Sequence, residues 1–375
     1  MVDTTLTEEQ RLLRETLERY FAREHSMGAR IASGGATGTE AHWAGFVEMG
    51  LPAVPVTVED GGIGGGGTEI TIIAEQFGRN LVAAPYLEIA IMAASLIEAC
   101  EDAALRQSLA EEIVSGRVIS VAHFEPDSHF DATHVNTTAR CDGNGFVLNG
   151  AKVSVGWGDR AERLLVSAWL DEGLAIFAVD ATAAGLEVNG FPTNDGQRGA
   201  DLRLTEMRLD AGALVVAPAH GRDAMDRAIS RARIFLACEA AAIMRRMCDL
   251  TREYVATRQQ FGAAIGSFQV IQHRLVDMYS QAEQALSIAL LAADSWDAPA
   301  AERDRVTSAA RALNARAGRF VGQNAVQLHG GIGMAWETPL SHYFKRLTMN
   351  GMQMGDESYH LRRFASQSRG EQRAH

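Results

Sequence analysis

The sequence predicts a mainly α chain interrupted by a central β unit. Three observations carry this. Apolar residues recur at helical spacing up to about residue 115. Short apolar runs then alternate with turn residues from about 117 to 217. Helical spacing returns from about 222 to 368, in much longer stretches. The expected domains are residues 1–116, helical; 117–217, β; and 218–375, a helical bundle.

The first region opens on Thr7-x-x-Gln10, a pattern in which the two side chains cap each other's backbone amides. Leu12, Leu13, Leu17, Tyr20 and Phe21 follow at helical spacing. Further helical patterns cover Glu40 to Met49, Thr68 to Phe77, Tyr86 to Ala99 and Asp102 to Val114, the last stopped by Gly116. In the middle region the strand-like runs are Val118 to Ala122, Gly145 to Gly150, Leu164 to Ala168 and Ala175 to Val179. In the third, Asp223 to Thr257 contains neither proline nor glycine and would span ~50 Å as a helix. Phe268 to Trp296 and Ala300 to Leu328 are nearly as long. Long amphipathic helices favour a bundle, and apolar residues on both faces suggest a second face covered by an oligomer or by the chain itself.

Composition excludes several classes. The chain has 375 residues, with Lys plus Arg 35 and Asp plus Glu 47, a net charge of −12. Such an acidic chain lacks the clustered cations that nucleic-acid phosphates need, so no nucleic acid is expected as a partner. Its 47% apolar content is too high for a disordered chain. No uncharged apolar stretch reaches the ~18 residues of a membrane span. The richest, Ala83 to Ile97, is broken by Pro85, Glu88 and Ser95. Met1 to Glu9 lacks the basic and apolar segments of a signal peptide, and Gln372 to His375 is neither a prenylation nor a peroxisomal signal. A cytoplasmic location is expected. Cys100, Cys141, Cys238 and Cys248 lie far apart without a CxxC, and no HExxH occurs, so neither disulfide nor metal site is expected.

Gly62-x-Gly64-x-x-Gly67 imitates a dinucleotide fingerprint, with Glu88 at roughly the distance of a ribose contact. The fingerprint needs a buried strand before it. The preceding Leu51-Pro52-Ala53-Val54-Pro55 has two prolines, so a tight glycine turn is expected instead.

The C-terminal region carries a denser set of signals. Arg258-Gln259-Gln260-Phe261-Gly262 ends the long helix, Ile265 to Gln269 opens the next, and Gln327-Leu328-His329-Gly330-Gly331-Ile332-Gly333 follows later. In this order and spacing they resemble the acyl-CoA dehydrogenases, whose pattern is Arg-x-x-Phe-Gly, a Gln, then Gln-x-x-Gly-Gly-x-Gly. The resemblance covers nearly the whole chain. Leu6 to Gln10 looks like that family's first helix and Glu59 to Gly64 like its Glu-x-Gly-Gly-x-Gly loop. Glu125-Pro126 looks like part of its Thr-Glu-Pro loop, and Asn149 to Lys152 like its Asn-Gly-x-Lys turn.

The resemblance implies an N-terminal helical domain, a middle β-barrel-like domain and a C-terminal four-helix bundle. It implies FAD as cofactor, an acyl-CoA thioester as substrate, and electron-transfer flavoprotein or a similar acceptor. It also implies assembly as a dimer of dimers, homomeric or heteromeric. The cofactor residues it marks are Arg258, Phe261, Gln269, Gln327, Gly330 and Gly331, which in the family reach a neighbouring subunit's FAD. Each also has a structural reading. Arg258 can fork onto a diphosphate or sit on a helix dipole, and Phe261 can stack on adenine or enter a core. Gln327 can be a plain surface residue, and the two glycines a helix cap.

The catalytic part departs from the family. Its reaction needs a carboxylate to take the α-proton while the β-hydrogen leaves as hydride to flavin N5. Of the two positions that hold that glutamate, the one after the Gly-Gly motif falls on Met354. The other, on the long helix, falls on Ala232, followed by Arg233, a candidate substrate contact that the family shares. The threonine before Glu-Pro is Phe124, and the Trp-Ile-Thr run after the lysine is Ser154-Val155-Gly156. The threonine that would hydrogen-bond near flavin N5 is thus replaced by Gly156, and Trp157 could replace the tryptophan only if the loop shifts.

Two readings follow. In one, the chain is an active dehydrogenase with a displaced base. Asp356 and Glu357 are the nearest acids and the catalytic candidates, Asp226 and Glu239 lie on the long helix, and Asp356 is equally a good helix N-cap. In the other, the chain is a non-catalytic FAD-sharing subunit of a heteromer, as in enzymes that shorten steroid side chains, and the partner holds the base. A related flavoenzyme acting on a non-CoA substrate such as a nitroalkane is a third class. His329 and His360 could belong to a polar site or be structural.

Overall fold

The computed structural model describes residues 6–32 and 39–373. Met1 to Thr5 and Ala374 to His375, on which the expectations about terminal signals partly rest, lie outside the described residues. In chain order the helices are α1 (Glu8–Glu24), α2 (Met27–Ala32), α3 (Thr39–Glu48), α4 (Gly67–Asn80), α5 (Ala94–Ile97) and α6 (Ala103–Val114). They continue with α7 (Pro218–Thr257), α8 (Gln269–Asp294), α9 (Ala300–His329), α10 (Pro339–Asn350) and α11 (Glu357–Arg373). The strands are β1 (Ile119–Ala122), β2 (Thr138–Asp142), β3 (Gly145–Gly156), β4 (Arg163–Leu170), β5 (Gly173–Asp180), β6 (Leu186–Pro192), β7 (Arg198–Asp210) and β8 (Leu214–Val216). A short hairpin, β9 (Gln259–Gln260) and β10 (Ala263–Ala264), follows α7.

The described residues fall into two compact units. The helical unit holds the described residues before Gly38, Gly67–Val82, and those from Arg233 on. Its helices start as their sequences dictate. Thr7 and Gln10 cap α1 reciprocally, the Gln10 amide donating to the Thr7 hydroxyl at 3.2 Å. Leu17 and Phe21 then fall on the buried face. Ile243, Met244 and Met247 of α7, Met278 of α8, Val321 of α9, and Leu340 and Tyr343 of α10 meet in one core.

The mixed unit holds Thr39–Gly66 and Ala83–Ala232. Its sheet runs β6-β7-β3-β2-β4-β5-β8, with β1 also pairing β4. Leu148, Leu164, Val166, Phe177, Leu202 and Leu204 fill its core. The strands that apolar runs do not announce, above all β7, alternate charged outward and apolar inward residues, as a half-solvated strand should. The apolar stretch after Pro85 is a π-helical turn, Leu87–Ala93, before it tightens into α5. The glycine-rich loop is preceded by a 3-10 turn, Leu51–Ala53, and folds back on it: the amides of Ile63, Gly64 and Gly65 donate to the carbonyls of Ala53, Val56 and Val54. It is a tight turn, as its prolines imply. Among the described residues no helix is long and apolar enough to cross a membrane, and no cluster of His, Cys, Asp or Glu could hold a metal.

Candidate functional site

In the helical unit, one end collects the arm residues. After α7, Gln259–Gln260 pairs antiparallel with Ala263–Ala264. The two-residue turn between them, Phe261 (φ +52°) and Gly262 (φ +81°), has both residues left-handed, as a tight hairpin requires. Phe261 at the tip is 93% exposed. Arg258 is exposed at the hairpin base, and among the described residues its guanidinium has no partner. Gln269 is exposed at the start of α8.

A second segment reaches the same end. Tyr254, one turn before Arg258, stacks on His329 at the end of α9, ring centroids 4.2 Å apart. His329 also bonds the Ala325 carbonyl at 2.9 Å, and burial lowers its pKa. It is a structural rivet. Through it, the end of α9 that carries exposed Gln327 and the exposed Gly330–Gly331 turn is tied to the end of α7 from which the hairpin springs. Gly330 has φ +65°, and a Cβ on either glycine would meet nothing within 4 Å, so their backbone is open to a ligand. Exposed amide donors, a guanidinium fork and an aromatic face fit a phosphate-bearing, aromatic cofactor such as FAD.

Further along, Met354 sits in a left-handed conformation (φ +55°). The buried Arg233 guanidinium holds its carbonyl through Nε and Nη2 at 3.2 and 3.1 Å, and contacts the Tyr359 hydroxyl. A Cβ on Gly355 (φ +124°) would lie 2.5 Å from Nε2 of the buried His360, so only glycine follows Met354 without strain. Burial and the arginines 233, 311 and 363 push His360 down to about 2, which keeps it neutral.

The nearby acids are engaged. Asp356 caps α11, its Oδ1 accepting from the Tyr359 amide at 2.7 Å. Glu357 pairs with Arg319 at 3.2 Å. Buried Glu239 accepts from Arg346 Nε and Asn350 Nδ2, each at 2.8 Å. Asp356 and Glu357 border a cavity of 290 Å³ together with Arg319, Thr348 and Met352.

In the mixed unit, Ala232 is fully buried, and Asp226 is half-buried earlier on α7. Here the Glu-Pro and Asn-Gly-x-Lys motifs meet, with the Lys152 ammonium 2.8 Å from Glu125. Beyond Lys152 the β3–β7 register slips, and Ser154 (φ +53°) donates its amide to Asp201. Trp157 is 5% exposed, and its Nε1 donates to Gln197 at 3.2 Å. The ring thus packs inside its own unit. Phe124 stacks edge-on against His123.

One residue was missed as part of this wall. Glu88, on the π-helical turn, packs its carboxylate against Gly156: a Cβ there would lie 2.9 Å from Glu88 Cδ and closer still to Oε1. The available signal was a lone acid inside an otherwise apolar helix.

Residues 7–117, 120–211 and 219–368 match the family models for the N-terminal, middle and C-terminal domains of acyl-CoA dehydrogenase. The chain is similar to acyl-CoA dehydrogenase FadE27 of Mycobacterium tuberculosis, 28% identical over 332 residues that span 86% of each chain. It is similar to a chain of the ChsE4-ChsE5 complex from the same organism, with TM-score 0.87, 26% identity, and coverage of 97% of this chain and 98% of that one. It is also similar to a chain of a Tcur3481-Tcur3483 steroid ACAD variant, with TM-score 0.86, 28% identity, and coverage of 99% and 100%.

Proposed function

The chain belongs to the acyl-CoA dehydrogenase family, and from that premise we propose that it is the cofactor-sharing partner subunit of a heteromeric acyl-CoA dehydrogenase. A second, homologous chain supplies the carboxylate base. The observation that carries this reading is the engagement of the acids around Met354: Asp356 caps a helix, Glu357 pairs with Arg319, and Glu239 pairs with Arg346. A proton acceptor at the α-carbon must be free to approach substrate.

The arm, by contrast, is free to reach outward. The Arg258 fork suits a diphosphate, Phe261 an adenine face, Gln269 and Gln327 polar edges, and the Gly330–Gly331 backbone close approach to phosphate. Bound FAD would supply the hydride acceptor for Cβ. Arg233 sets the Met354 loop rather than contacting substrate, since it spends two donors on the Met354 carbonyl. The similar solved structures include a ChsE4-ChsE5 complex and a Tcur3481-Tcur3483 steroid ACAD, which favours a steroid-type acyl-CoA thioester as substrate. Electrons then pass to electron-transfer flavoprotein or a similar acceptor, and the enzyme works in the cytoplasm.

The cavity beside Asp356 and Glu357 favours the homomeric alternative, in which one of them is a displaced base. The test is to express the chain alone and with a homologue bearing a glutamate at either base position. Thioester-dependent bleaching of the flavin is expected only from the pair. Full bleaching by the isolated chain would overturn the proposal.

A further inference from the structure

The two sets of residues that the family resemblance links to FAD, one in each unit, fit the cofactor differently. The arm presents free donors and open backbone. The wall of the mixed unit, where the family resemblance sets a threonine hydroxyl near flavin N5, does not fit.

Gly156 has no side chain, and the space where one would stand is taken by the Glu88 carboxylate. Glu88 comes from the π-helical turn, where the extra residue per turn re-aims side chains relative to an α-helix. It is flanked by buried Leu87, Ile89 and Ala90, which fix its backbone. The replacement alters chemistry as well as shape. A threonine hydroxyl can donate a hydrogen bond, whereas a carboxylate only accepts. The N5 and O4 edge of an oxidised flavin also only accepts. As a carboxylate, Glu88 would offer only acceptors where a donor is needed. Its neighbours agree: Trp157 is turned inward and bonded to Gln197, and Phe124 stands where the family has a small polar residue.

We infer that Glu88 closes this chain's own flavin-ring wall, so that the chain lends its arm to a partner's FAD while refusing a flavin ring of its own. The inference rests on the partner-subunit reading and names the device that enforces it. Glu88 and Gly156 form a matched pair. Restoring threonine at 156 requires the Glu88 carboxylate to leave the space it now fills, which Glu88→Ala in the double variant ensures.

The experiment uses the full chain expressed alone and titrated with FAD, following flavin fluorescence and the visible flavin band, with circular dichroism as a check on folding. Three proteins are compared: the unaltered chain, Glu88→Gln, and Glu88→Ala with Gly156→Thr. Glu88→Gln keeps the shape and restores a donor, so it remains informative if the double variant does not fold. The expected result is no retained FAD in the unaltered chain and about tenfold tighter binding in each folded variant, the scale of one well-placed hydrogen bond. If the unaltered chain retains no FAD and the folded variants bind no better, Glu88 does not close the wall, while the partner-subunit reading stands. If the unaltered chain retains one FAD per chain, the partner-subunit reading fails; loss of that FAD in the variants would show that Glu88 holds the flavin, and unchanged retention would show that it is irrelevant. Both of these also overturn the inference.

Discussion

The Lys152 ammonium lies 2.8 Å from Oε1 of Glu125, and both side chains are almost wholly withdrawn from water. Lys152 spends its other donors on the His123 carbonyl and the Ser167 hydroxyl, at 3.1 and 3.0 Å. Glu125 accepts further from the backbone amides of Asn136 and Thr137. Two sequence motifs far apart in the chain are thereby locked into one polar knot. It fixes β3 against the loop that carries Phe124, whose carbonyl accepts from the Val153 amide.

Breaking one half of that knot should be costly. Lys152→Met strands a buried carboxylate, and a loss of about 3–5 kcal/mol is expected. Replacing both partners, with Lys152→Met and Glu125→Leu together, should recover part of it, because no charge is then left unpaired. Urea unfolding of the two variants measures the difference. A double variant no more stable than the single one would deny the coupling.

The same pair sets an acid limb. Burial alone would raise the Glu125 pKa, but Lys152 and the hydrogen bonds from Thr137 and Asn136 outweigh it and hold the carboxyl below its ordinary value of 4.5. A carboxyl lowered in the folded state adds stability above its unfolded pKa, and that stability is lost as pH falls through the folded value. Stability should therefore decline from about pH 4.5 downward, with a shallower decline in Glu125→Gln. Unfolding free energies measured from pH 7 to pH 3 check the sign. Equal slopes in the two proteins would remove Glu125 from the acid limb.

The helical regions were legible because α1 and α7 to α9 are long and their apolar spacing is unbroken. β7 was not, because alternation of Asp201, Arg203 and Glu206 with buried Leu202 and Leu204 looks polar to a search for apolar runs. Arg258, Phe261 and Gln327 could be singled out because local motifs carry them, and the structure leaves all three exposed. The Glu88–Gly156 contact could not. It joins a helical turn to a strand across the fold, and neither residue announces the other. The engagement of Asp356 and Glu357 sits between these cases: the cap follows from the sequence of one helix start, whereas the Arg319 pair needs two helices brought together.

The arm should separate cofactor binding from stability. Phe261 is 93% exposed and Arg258 is unpaired among the described residues, so Phe261→Ala and Arg258→Ala should each change stability by no more than about 0.5 kcal/mol. In the reconstituted heteromer each should weaken FAD binding about tenfold, with Arg258→Lys restoring only part because it lacks the planar fork. Thermal melting and FAD titration of the same samples test this. Unchanged FAD affinity would show that the hairpin does not touch the cofactor.

Asp356 offers the sharpest choice between the two catalytic readings, because asparagine separates its possible roles. Asn caps a helix about as well as Asp, so Asp356→Asn should keep the bond from the Tyr359 amide and leave stability unchanged. It cannot take a proton. Asp356→Ala loses the cap and should cost about 1 kcal/mol. If the base lies on a partner chain, both variants keep full turnover in the reconstituted heteromer once folded, and only the alanine variant melts earlier. If Asp356 is a displaced base, both lose roughly 10²–10⁴-fold in turnover whatever their melting temperatures. Stability and turnover therefore move independently in the two readings. A stable, inactive Asp356→Asn protein would place the base on this chain.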